Sequence, residues 1–203
     1  MVLNTETEKK IIGSAEKLFY RKGKAGASMQ DIADDAGINR TLLNYYFRSK
    51  DKLFEAVFRN ALGRFVPGIA AMLHSEISFE DYIPGMIETI IDTMLENPQI
   101  PIFVLQELSS NPDRMQQIIR EMGIDPVRTA EKIGIEQGKD RGEDPRQVIL
   151  NLLSLCIFPF AARPVVTEVL FNGNNEDFVN AMKERKELLP ELIKKFMIQK
   201  NRL

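Results

Sequence analysis

SMQDIADDAGINRTLLNYYF, residues 28–47, is the stretch whose reading decides this chain. Ser28 followed by Asp31 is a capping-box pattern, the start of a helix whose first free amides are met by side chains. Ile32, Ala33 and Ala36 fall on one face of that helix, and Gly37 stops it. Asn39 is a good N-cap for a second short helix reaching Phe47. At about 100° per residue, Leu43, Tyr46 and Phe47 share one face of it. Thr41, Asn44 and Tyr45 fall on the opposite face, with Arg40 near the helix start. Two short helices joined through a glycine turn are the outline of a helix-turn-helix. The outward set suits DNA: an arginine fork for guanine, an asparagine amide for adenine, a threonine methyl for thymine. A solvated helix face carries the same polar residues, so pattern alone leaves both readings open.

The flanking sequence is helical as well. Upstream, a helix starts near Thr5, with Glu8 completing a capping box, and carries Ile11, Ile12, Ala15, Leu18 and Phe19 as one stripe before Gly23 and Gly26. Downstream, Ser49 caps a helix with Leu53, Phe54, Val57, Phe58, Ala61 and Leu62, expected to break near Pro67-Gly68. Further apolar stripes lie at 82–95, 102–108, 115–122, 127–133 and 145–160. A last helix is expected over about 176–200 with a kink at Pro190. No run of alternating β-branched residues bounded by turns occurs. The expected class is all-α: a three-helix head with the helix-turn-helix in 1–48, and a larger helical body in 49–203.

Charge is unevenly spread over the 203 residues, 44% of them apolar. The net charge is −2, but residues 1–50 carry +3 and the remainder −5. A basic head on an acidic body fits a protein that touches a polyanion at one end. The single cysteine, Cys156, lies in an apolar run, cannot form an internal disulfide and suits a reducing compartment. The apolar stretch at 149–160 is too short to span a bilayer and is interrupted by Asn151, Ser154 and Pro159. The N-terminus has no apolar signal core. These features lead us to expect a soluble, cytoplasmic protein that does not engage membranes. One histidine rules out histidine-rich metal sites, and no glycine-rich phosphate loop precedes a helix, so neither an enzyme nor a cofactor is expected.

Residues 8–58 resemble the N-terminal domain of the TetR family of transcriptional regulators. The matching pieces are Phe19 with Gly23, Asp31-Ile32-Ala33, Ala36-Gly37-Ile38, and the run 43–47, LNYYF, followed by Ser49-Lys50 and Leu53-Phe54. Two positions depart: Asn44 stands where the family usually has tyrosine, and Thr41 where it often has a small residue. Resemblance and geometry together imply that Ser28 and the first amides of its helix sit on a phosphate, and that Gln30, one turn in, reaches a base edge. Arg40, Thr41 and Asn44 are the expected base readers, Asn39 caps and borders them, and Tyr45, Tyr46 and Lys50 are the expected backbone contacts. The resemblance further implies a repressor that binds double-stranded operator DNA as a homodimer and is released by a small apolar or amphipathic ligand. Met72, Met86, Ile90, Phe103, Leu105 and Phe158 are the candidate pocket walls, methionine suiting an adaptable lining. The dimer would form through the helices at 146–160 and 176–200. The competing reading is a TetR-like DNA-binding protein without a small ligand, regulated by DNA or protein partners.

Overall fold

A computed structural model describes residues 5–64, 66–73, 76–137 and 144–198, and every regular element among them is a helix. Contacts divide the chain into two units. One holds the described residues up to Arg64 together with Ile102–Ser110, and the other holds the remainder.

The first unit is built by α1 (Thr5–Gly26), α2 (Met29–Asp35), α3 (Arg40–Tyr46) and α4 (Lys50–Leu62), with the greater part of α7 (Ile100–Ser110). Its core is the apolar stripe of each helix: Ile11, Ala15, Leu18 and Phe19 of α1, Ile32 and Ala33 of α2, Leu43 of α3, and Leu53, Phe54 and Val57 of α4 are all buried. The helical path of α1 is interrupted at Gly23, whose φ of 68° belongs to the left-handed region that glycine enters without strain. α4 ends at Leu62, with Gly63 as its C-cap. The break expected near Pro67-Gly68 therefore comes earlier, and those two residues instead lie in the first turn of α5 (Val66–Leu73), where a proline's missing N–H costs nothing.

The second unit centres on α6 (Phe79–Glu96). Phe79, Tyr82, Ile83, Met86, Ile87, Ile90, Ile91 and Met94 are all buried, so this helix is covered on most of its circumference. α5, α9 (Pro126–Gln137), α10 (Pro145–Ala161) and α12 (Asn175–Ile198) pack on it. The last helix is tied to α6 by Lys186, whose ammonium lies 2.5 Å from Asp92. α8 (Pro112–Glu121) buries Met115 and Ile118. α11 (Arg163–Phe171) leaves α10 at 79°, with Pro164 in its opening turn. Among the described residues no single helix is long and apolar enough to cross a membrane.

Candidate nucleic-acid interface

Local hydrogen bonds shape the helix-turn-helix. Ser28 Oγ accepts from the Asp31 amide at 3.0 Å, and Asp31 Oδ2 accepts from the Ser28 amide at 3.2 Å, completing the capping box. The bond from the Ser28 amide, followed by one from the Ser28 side chain, holds the Asp31 carboxyl below the usual carboxylate range. α2 ends in a Schellman turn: the Ile38 amide donates to Ala33 O at 3.0 Å and the Gly37 amide to Asp34 O at 3.1 Å. Gly37 takes a φ of 66° there, which a side chain would oppose. Asn39 Oδ1 then accepts from the Leu42 amide at 2.8 Å and opens α3. Ser49 Oγ accepts from the Lys52 amide at 3.2 Å and opens α4.

α3 is anchored from within. Leu43 is fully buried, and Phe47, its C-cap residue, is 8% exposed. Arg40, Thr41, Leu42, Asn44 and Tyr45 are exposed, and Tyr46 is half-buried. The rings of Tyr45 and Tyr46 meet edge-on with centroids 5.7 Å apart. The outward face of α3 thus gathers a guanidinium, a hydroxyl, an amide and a phenol on one seven-residue helix.

Several expected contact groups already have partners. The oxygen of Asn39 caps α3, leaving its NH2 as the group that can reach outward. Gln30 Nε2 donates to Asp34 Oδ1 at 2.8 Å, so its oxygen remains. Both the amide and the oxygen of Ser28 serve the capping box, and its hydroxyl also bonds the Asp31 carboxyl. Lys50 Nζ donates to Ala27 O at 3.2 Å, tying the start of α4 to the turn before α2. Leu42 and Arg48 are exposed beside these residues and were absent from the sequence-derived set. The angular signal was present for Leu42, one residue and about 100° from Thr41. Arg48 borders a cleft of about 380 Å³ with Tyr46, Phe47 and Lys52.

Ion pairs of α1 with α2 and α4 frame the same unit: Lys17 with Asp35 at 2.6 Å, Lys22 with Asp31 at 3.6 Å, and Lys24 with Asp51 at 2.9 Å. All are partly exposed, and each is worth at most about 1 kcal/mol. A half-buried clasp of α1 completes the arrangement. Glu16 accepts from the Tyr20 hydroxyl at 2.9 Å and from Arg64 at 2.5 Å.

The candidate pocket walls divide between the units. Met86 and Ile90 are buried in α6. Phe103 is buried in the first unit, where its ring meets those of Tyr20, Phe54 and Phe58 at 4.8–5.6 Å. It borders a cleft of about 230 Å³ there with Gly23, Lys24, Phe54 and Glu107. Leu105 is exposed on α7, and Phe158 is 64% exposed on α10. Neither side chain faces the interior of its own helix packing: α7 and α10 are both apolar on more than one side, and periodicity leaves open which side packs inward. Met72 lies outside the residues whose side chains are described.

Residues 11–57 match the family model for bacterial regulatory proteins of the tetR family. Over 190 residues, 89% of this chain and 89% of the relative, the chain is 26% identical to the "Probable HTH-type transcriptional regulator YttP" of Bacillus subtilis. It is 29% identical over 153 residues to the HTH-type transcriptional regulator RutR of Escherichia coli, covering 71% of this chain and 69% of that one. A TetR-like transcriptional regulator from Rhodococcus sp. RHA1 shares the fold at a TM-score of 0.67 and 18% identity, over 97% of this chain and 98% of that one. The matched segment is the one that builds α1 to α4 around the helix-turn-helix, so residues 11–57 are a segment of the tetR-family type and the chain is similar to transcriptional regulators of that family.

Proposed function

We propose that the protein is a cytoplasmic repressor that binds operator DNA as a homodimer and is released by a small ligand held in its body. The observation that carries this reading is the outward face of α3: Arg40, Thr41, Asn44 and Tyr45 are exposed on a helix held rigid from below by Leu43 and Phe47. Such a helix can enter the major groove and present its side chains to base edges. Arg40, Thr41 and Asn44 read bases. Tyr45, Tyr46, Lys50 and Ser28 with the first amides of α2 contact the backbone, the Gln30 oxygen reaches a base edge, and the Asn39 NH2 lies at the margin. We assign DNA binding to residues 1–48 and pairing and ligand binding to 49–203.

A second copy covers the apolar side of α10. Leu150, Leu153 and Phe158 are 55%, 43% and 64% exposed, and at about 100° per residue they spread over about 140° of the helix, centred near Leu150. Leu188 of α12 is exposed as well. A face this apolar is unusual on a monomer, and symmetric pairing is the common way to bury it. The ligand is apolar or amphipathic and meets Met86 and Ile90 of α6; an opening among these packed side chains makes room for it.

Genome-wide capture of bound DNA, beginning with the region beside the protein's own gene, tests the reading. It should return a palindromic site with half-sites about one helical turn, or a small multiple, apart. Titration of that site with cell extracts should then release the protein. Operator affinity indifferent to every extract would instead favour a regulator without a small ligand, and a failure to enrich any sequence would overturn the reading.

A further inference from the structure

We propose that Leu42 reads the C5-methyl group of a thymine in each half-site. The inference rests on α3 entering the major groove, as argued above. Leu42 is the one aliphatic side chain among the exposed residues of α3, with 36% of its surface open. Its neighbours Arg40, Thr41 and Asn44 all carry hydrogen-bonding groups, whereas a leucine side chain has none. It therefore cannot serve the outward face by the chemistry that the others use. The one aliphatic group that the major groove displays is the thymine methyl, and apolar contact is how it is recognised.

The geometry places Leu42 where such a contact can be made. Its amide donates to Asn39 Oδ1 at 2.8 Å, so the first turn of α3 is closed at this residue and its Cα has a defined height on the helix. At about 100° per residue, Leu42 and Tyr45 lie about 60° apart on adjacent turns, and Leu42 stands at the margin opposite Arg40. The outward face is thereby divided. Arg40 and Asn44 form a hydrogen-bonding edge, and Leu42 with the exposed ring of Tyr45 forms an apolar one. A face divided in this way distinguishes a guanine or adenine edge from a thymine methyl within one half-site. Thr41, between the two edges, carries a methyl of its own and is the rival reader.

The test uses a duplex recovered by in vitro selection from a random library with the full-length protein. Each thymine of the recovered site is replaced in turn by deoxyuridine, which keeps every hydrogen-bonding group and removes only the methyl. For the unaltered protein, one position per half-site should lose affinity, by about fourfold per half-site, as befits one buried methyl. The variant Leu42→Ala should bind more weakly and be indifferent to deoxyuridine at that position, with its helical circular dichroism unchanged. The variant Thr41→Ser should keep the sensitivity. If Leu42→Ala stays as sensitive as the parent, or if Thr41→Ser abolishes the effect, the assignment is overturned. If no deoxyuridine position matters while selective binding persists, Leu42 is not a methyl reader although α3 still reads DNA. If selection returns no preferred sequence, the major-groove reading itself falls, and this proposal with it.

Discussion

Phe103 sets its ring edge-on against Tyr20, with 4.8 Å between centroids, so a residue from far along the chain completes the core of the helix-turn-helix unit. Tyr20 in turn donates its hydroxyl to Glu16, which also holds Arg64. Phe103 therefore acts on the head directly, by packing. Phe103→Ala should lower the stability of this unit by about 3–5 kcal/mol. Urea denaturation followed by far-ultraviolet circular dichroism checks the value, and a loss under about 1 kcal/mol, well below the usual cost of such a truncation, would show that the ring cluster carries little.

Phe47→Ala should cost about 3–5 kcal/mol locally and abolish DNA binding. The side chain is nearly buried under α3, and its amide donates to Leu43 O at 2.8 Å. Removing the ring leaves α3 without its floor. Electrophoretic mobility shift on the recovered site, at a temperature where the variant is still folded, distinguishes a tilted reading helix from global unfolding.

Arg40→Ala and Lys50→Ala should differ in kind. Arg40→Ala is expected to weaken operator binding by about 1–3 kcal/mol per half-site and relax preference at one base pair. Lys50→Ala should weaken binding to operator and random DNA alike and make the logarithmic salt slope shallower by about 1 for each phosphate that is no longer neutralised. Because Lys50 also donates to Ala27 O, its removal should loosen the turn before α2. Equal losses on operator and random DNA for Arg40→Ala would take it out of the base-reading set.

Leu153→Glu, set among the exposed apolar residues of α10, should produce a monomer. The new carboxylate would be buried without a partner in any dimer that uses this face. Light scattering at micromolar concentration reads the mass, and operator affinity should fall with it. A variant that remains dimeric would place the pairing surface elsewhere.

Cys156 gives a prediction in pH. Burial pushes its thiol up to about 12, against a smaller opposing effect of the Arg185 guanidinium. The folded state therefore holds the proton more tightly than the unfolded chain. The contribution is fully present below the ordinary thiol range and is lost as pH rises from that range toward 12. Urea midpoints between about pH 8 and pH 11, a window that starts near the ordinary thiol value, should fall more steeply for the parent than for Cys156→Ala. A steeper fall in the variant would reverse the sign and refute the burial argument.

The helix-turn-helix was legible in sequence because its determinants are short-range. The Ser28–Asp31 box, the Gly37 turn and the Asn39 cap join residues only a few positions apart, so residue type and spacing suffice. The outward polar face of α3 follows from helical periodicity alone, whereas Leu42 lies at its margin, where periodicity does not separate exposed from buried. Tertiary structure decided what periodicity leaves degenerate. α10 is apolar almost all round, so only packing against α6 and α12 settles that Cys156 and Phe160 face inward and Phe158 outward. α7 reads as one more apolar helix, and only the meeting of Phe103 with Tyr20, Phe54 and Phe58 assigns most of it to the helix-turn-helix unit. Capping and periodicity are properties of a segment, whereas burial depends on which distant segment arrives to cover it.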